Sequence, residues 1–171
     1  MYDILVQYQK NSQTSIRKFG VNAGHESESN GFDLLYSDDT LVTLGKKHQR
    51  INYQDFFQDP EYVIFITGTI LGRIHTGKSF FDPSDIAAQK RAGAFDYDAF
   101  KGNFTLFIYH RYSKVLEMYS DPIGLCPVYM GEKNSTVFLS SNLNLLKVVD
   151  DSVDYTTVLE KLVFTYPITS Q

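Results

Sequence analysis

The segment from Gly102 to Leu146, GNFTLFIYHRYSKVLEMYSDPIGLCPVYMGEKNSTVFLSSNLNLL, constrains the fold more than any other part of the chain. Runs of apolar, β-branched and aromatic residues at 103–110, 114–120, 127–131 and 136–140 read as short strands, and tight turns join them. The connections are hairpins, so the strands belong to antiparallel sheet. Asp121-Pro122-Ile123-Gly124 has the composition of a sharp turn, in which the Asp121 carboxylate bonds local backbone N–H groups. Ser141 or Asn142 is then a suitable N-cap for a helix.

The remaining chain supplies further strands and little helix. Residues 2–8 (YDILVQY) read as a buried strand, and 31–36 and 40–44 as a hairpin turning at Ser37-Asp38-Asp39. Residues 21–31 are small and polar and read as a loop, and 46–60 as a loop with one helical turn. The run YVIFITGTIL at 62–71 is the most apolar and β-branched of all, which predicts a central strand. Residues 83–100 have helical character, with Pro83 in the first turn, an interruption at Gly93 and a second short helix near 97–100. A last helix follows Asp154 as N-cap, through Val158, Leu159 and Leu162. Strands, helices, strands and helices in that order argue for an α+β or layered architecture.

The bulk properties exclude several classes. A chain of 171 residues fits a single domain over 1–171, with no linker or repeat. Its 13 Phe and 12 Tyr favour a β-rich fold. A net charge of −4 gives no electrostatic case for binding nucleic acid or an anionic membrane surface. No apolar run has the length of a membrane span and no signal-peptide pattern opens the chain, so the expected location is cytoplasmic. Cys126 is the sole cysteine and reads as an inert thiol, with no His adjacent in sequence. His25, His48, His75 and His110 lie far apart in sequence and form no metal-ligand pair, so no metal site is expected. Asp82, Asp85, Asp96 and Asp98 read as a solvated acidic face.

One motif is a literal match. Gly72-Arg73-Ile74-His75-Thr76-Gly77-Lys78-Ser79 satisfies G-x-x-x-x-G-K-[ST] after a good strand. In a phosphate-binding loop the backbone N–H groups cradle phosphates, the Lys reaches the terminal phosphates and the Ser holds magnesium. That geometry needs a helix starting at the Gly-Lys-Ser end. Here Phe80-Phe81-Asp82-Pro83 follows at once, and Pro83 would break such a helix while Asp82 is pushed out of helical dihedrals. The motif therefore reads as an exposed Gly/Lys/Ser loop, with a nucleotide binder through Gly72, Gly77, Lys78 and Ser79 as the alternative.

The pattern of residues 102–146 resembles the end of the glutaminase domain of asparagine synthetases, G-x-F-A…R-D-x-x-G-x-x-P-L-Y-Y…F-x-S-E-x-x-x-L, through Gly102, Phe104, Asp121, Gly124, Pro127, Tyr129, Phe138 and Ser140. Residues 4–6 and 62–71 carry a weaker likeness. The resemblance implies a class II glutamine amidotransferase domain of the N-terminal-nucleophile type. Its fold would be a four-layer α-β-β-α sandwich, with two packed antiparallel sheets and helices outside.

The likeness stops where that family's chemistry begins. The family opens M-C-G-I, and the cysteine exposed by loss of Met attacks the glutamine amide, its own α-amine acting as base. This chain carries Tyr2 and Asp3 at those positions. A phenol, with a pKa near ~10, is a poor acyl acceptor at neutral pH. The family's N-G-E-I-Y-N run, whose Asn and Gly form the oxyanion hole, corresponds to Thr67-Gly68-Thr69-Ile70, so Thr67 stands for the Asn and Thr69 for the Glu. His48-Gln49-Arg50 is the nearest approach to the family's substrate-carboxylate arginine and lacks its Gly-Pro-Asp context. The resemblance thus implies a degenerate, catalytically inactive glutaminase-like domain, with Tyr2, Thr67 and Gly68 at the altered positions. It would be the N-terminal part of a longer asparagine synthetase-like or beta-lactam synthetase-like ligase. The expected partner is a synthetase domain in cis or in trans, with ATP and magnesium bound there and no cofactor here; a homodimer is also compatible. The second reading is a hydrolase of the same fold using a nucleophile other than residue 2.

Overall fold

The computed structural model describes residues 2–9, 33–47, 55–72, 79–133 and 135–146; of these, 2, 3, 46, 47 and 144 are described by backbone alone. Nine strands form two antiparallel sheets. The strands are β1 (Tyr2–Gln9), β2 (Asp33–Ser37), β3 (Leu41–Lys47), β4 (Phe56–Gln58), β5 (Tyr62–Leu71), β6 (Lys101–His110), β7 (Val115–Ser120), β8 (Tyr129–Lys133) and β9 (Thr136–Ser140). The five-stranded sheet has the order β2-β3-β1-β9-β8, and the four-stranded sheet the order β4-β5-β6-β7. Helix is scarce among the described residues: α1 (Pro83–Arg91), a 3-10 turn at Tyr97–Ala99 and the single turn α2 (Leu143–Leu146).

The alternation of side chains along each strand explains how the sheets meet. Ile4 and Val6 of β1, Leu41 of β3 and Val137 and Leu139 of β9 share one cluster with Val63 and Phe65 of β5 and Phe107 and Tyr109 of β6. That cluster is the core between the two sheets, and the rings of Phe65 and Phe107 stack in it at 4.7 Å. The opposite faces of β5 and β6 bury Ile64, Ile66, Ile70, Leu106 and Ile108 against Ile86 and Ala87 of α1. β5 is therefore apolar on both faces, which is why its sequence is continuously hydrophobic and not alternating. On the outer face of the five-stranded sheet, Leu5 and Phe138 pack with Leu146 of α2.

α1 starts where its sequence dictates. Pro83 occupies its first turn, and Asp82, in extended conformation, is its N-cap. The Asp82 N–H donates to Asp85 Oδ2 at 3.1 Å, and Asp96 likewise accepts the Asp98 N–H at 3.1 Å. Asp82, Asp85 and Asp96 are thus end-capping residues; Asp96 and Asp98 are exposed, as a solvated stretch requires, and Asp82 and Asp85 are half-buried. At its other end α1 is tied down by Lys90 to Glu117 of β7 and by Arg91 to Asp59 and Glu61.

One end of the inter-sheet space is closed by a charged clamp. Asp38, in the β2–β3 turn, accepts through Oδ2 from Tyr36 (3.0 Å), from Tyr109 of β6 (2.9 Å) and from Lys114 of the β6–β7 hairpin (2.8 Å). Its Oδ1 accepts the N–H groups of Thr40 and Leu41, both at 2.8 Å. Tyr8 adds a hydroxyl donated to the Lys114 carbonyl. The end of β1 therefore lies by the β6–β7 hairpin, at the end of the sheet where β5 starts.

The strand expectations correspond closely to these elements, with three differences. β3 runs on to Lys47, where 46–60 reads as loop, because Lys46 and Lys47 pair with Asp3 and Tyr2 of β1. Residues 56–58 form strand β4, where the sequence reads as loop: three residues are too few to show a period, and the pairing of Phe56 with Phe65 and Phe57 with Ile64 decides their state. The third strand of the 102–146 segment begins at Tyr129, since Pro127 has no N–H to give to a ladder. The loop expected at 21–31, the helical turn within 46–60 at residues 48–54, the helix after Asp154, and His25, His48, Arg50 and His75 lie outside the described residues. No helix among the described residues is long and apolar enough to cross a membrane.

Candidate functional site

The positions singled out by the resemblance, Tyr2, Asp3, Thr67 and Gly68, lie on β1 and β5, one strand in each sheet. Tyr2 and Asp3 open β1 and pair with Lys47 and Lys46 of β3. The start of that strand is held by two serines at the end of β9: Ile4 N–H donates to Ser141 Oγ (2.9 Å), and Ser140 Oγ donates to the Ile4 carbonyl (2.9 Å). This is the structural work of the Phe138-Leu139-Ser140-Ser141 run. The sequence places Ser140 at a strand end and Ser141 at a helix N-cap but gives no sign of this contact, because their partner lies more than a hundred residues away.

Thr67 and Gly68 sit in the second half of β5. Thr67 pairs with Thr105 of β6, and Gly68 with Phe104. Thr67 is buried, 1% exposed, and its hydroxyl has no hydrogen-bond partner. Thr43, on the five-stranded sheet, is buried with an equally unpartnered hydroxyl, and it pairs with Val6, so both threonines lie on inner faces. A buried hydroxyl without a partner costs about 1–3 kcal/mol, so a β-branched hydrocarbon would pack as well at either position.

Gly68 is in the left-handed region, φ +89°. A Cβ there would lie 2.1 Å from the Asn103 carbonyl oxygen and 2.7 Å from Cys126 Sγ. Glycine is required here because backbone and thiol crowd the position, whatever its chemical role. Thr69 faces Asn103 across the same ladder.

Cys126 reaches this spot through the β7–β8 connection. Thr105 Oγ1 donates to the Cys126 carbonyl at 2.7 Å. The loop is built around Asp121, which is 3% exposed. Asp121 Oδ1 accepts the N–H groups of Ile123 (3.0 Å) and Leu125 (3.2 Å), and Oδ2 those of Leu125 (3.1 Å) and Cys126 (3.4 Å). Burial works to raise the pKa of Asp121, but those backbone donors outweigh it and hold the carboxyl below its ordinary range. The turn role read from Asp-Pro-Ile-Gly is therefore the one Asp121 performs. Burial, reinforced by the Asp121 carboxylate, pushes the Cys126 thiol up, so it stays protonated at neutral pH. A protonated, 8%-exposed thiol packed on a glycine is a poor nucleophile.

Of the loop matching a phosphate-binding pattern, Gly72 and Ser79 are described, and Gly77 and Lys78 lie outside the described residues. Gly72 N–H donates to the Ser79 carbonyl (3.3 Å), Leu71 bridges Phe80, and Phe81 N–H donates to the Ile70 carbonyl (3.0 Å). The chain leaving the loop thus folds back along β5 in antiparallel fashion, and helix resumes only at Pro83. A phosphate loop needs helical N–H groups at its Lys-Ser end, and here Ser79 is in a bend and Phe80 is bridged to the strand.

His110, the one described histidine, sits apart on the outer face of β6. Its Nε2 lies 3.1 Å from Glu117 Oε1, and its ring meets that of Tyr62 edge-on. Glu117 Oε2 accepts from Tyr119 (2.9 Å) and from Lys90 (2.5 Å). These groups satisfy one another and tie α1 to the edge strand. No group of three or more metal-ligating side chains occurs among the described residues. No protein-family model matches this chain, and no curated protein does either.

Proposed function

We propose that the chain is a catalytically silent glutaminase-like domain of an asparagine synthetase-like, ATP-dependent amide-forming enzyme, serving a structural or docking role beside a synthetase domain in cis or in trans. The observation that carries this reading is Thr67: in the second half of the central strand, at the position that answers to the family's amide donor, stands a buried hydroxyl that no protein group bonds. A threonine side chain is one bond shorter than an asparagine and carries no N–H, so it makes a weak oxyanion donor. Two antiparallel sheets sharing a core, α1 on one outer face and α2 on the other support the four-layer α-β-β-α architecture that goes with this reading. β1 lies between β3 and β9, the central place that a strand bearing an N-terminal nucleophile would need.

Ammonia release from glutamine tests the proposal, together with intact-mass analysis after treatment with a glutamine-analogue electrophile. The expected result is no ammonia above the buffer rate and no mass increment at residue 2. Glutamine hydrolysis abolished by Cys126→Ala would favour the same-fold hydrolase instead. ATP-dependent thermal stabilisation lost in Lys78→Ala would favour the nucleotide binder.

A further inference from the structure

We draw no further inference here: the strongest candidate, the exposed apolar strip of Met118, Ile123, Leu125 and Met130 along the flank where the β7–β8 connection crosses between the sheets, carries nothing because nothing in the structure shows what covers it.

Discussion

Replacing Asp38 with Asn should unfasten the two sheets at one end, and its cost follows from the charge network. The Asp38 side chain is 17% exposed and receives five hydrogen bonds, one of them from the Lys114 ammonium. Burial alone would raise its pKa, yet Lys114, the Thr40 and Leu41 N–H groups and the Tyr109 hydroxyl together bring it from the ordinary 3.8 down to about 2. That difference corresponds to about 2 kcal/mol of stability held by the ionised form. Because the folded-state pKa is depressed, the contribution is complete above pH 3.8 and is lost as pH falls toward 2. Asp38→Asn removes the charge and turns an NH2 toward groups that are themselves donors, so it should cost about 2–4 kcal/mol at pH 7. Urea unfolding followed by far-UV circular dichroism measures this as a lower midpoint at unchanged slope. The variant should also be flatter than the parent between pH 4 and pH 2 by about the same 2 kcal/mol. In a double-mutant cycle, Lys114→Met alone should cost less, since that side chain is 38% exposed, and the pair should be coupled. Equal midpoints for parent and Asp38→Asn, or superimposable acid limbs, would refute the clamp.

The crowded end of the sandwich gives three further expectations. Gly68→Ala should cost about 3 kcal/mol or more, because its Cβ would meet a backbone carbonyl; Gly93→Ala, also at positive φ but with nothing within 4 Å, should cost about 1 kcal/mol. Equal losses in thermal unfolding would show that conformation alone, not contact, sets the price at Gly68. Thr67→Val should be neutral or stabilising by up to about 1 kcal/mol, since it removes an unpartnered buried hydroxyl at constant shape; a clear loss of stability would mean that the hydroxyl has a partner after all. Cys126 should react with a disulfide reagent far more slowly in the native protein than in urea, in keeping with its burial and raised pKa. Native labelling at the rate of a free thiol would overturn the packing of Cys126 on Gly68.

What the sequence made legible was whatever depends on near neighbours along the chain. Tyr62–Leu71 reads as a central strand because its apolar run is continuous, and the structure buries both its faces. Asp121 reads as a turn residue because Asp-Pro-Ile-Gly supplies the acceptor and the N–H groups within five positions. Pro83 and its preceding Asp82 locate a helix start for the same local reason. Long-range contacts had no such signal. Asp38 meets Lys114 across 76 positions, and Ser141 meets Ile4 across 137. Cys126 and Gly68 are brought together only by the β7–β8 connection, and neither residue type announces that encounter.

This division also explains how a scaffold and its chemistry can part company. Strand alternation, turn composition and helix caps are enforced by burial and backbone satisfaction, which act on every copy of the fold regardless of its activity. On the proposed reading, the positions that would handle glutamine are enforced by chemistry alone, and without that chemistry they are free to follow packing. Gly68 is consistent with this, since sterics at Asn103 and Cys126 demand a glycine even without an oxyanion. Thr67 is the exception that carries the argument further. Packing alone would favour valine there, because a β-branched hydrocarbon fills the same volume without stranding a hydroxyl. Thr67 and Thr43 are both buried on inner faces, each with a hydroxyl that no protein group bonds. On the proposed reading, the unpartnered Thr67 hydroxyl is what remains of a polar site whose stronger donor is gone, and Thr67→Val should leave stability unchanged or slightly raised.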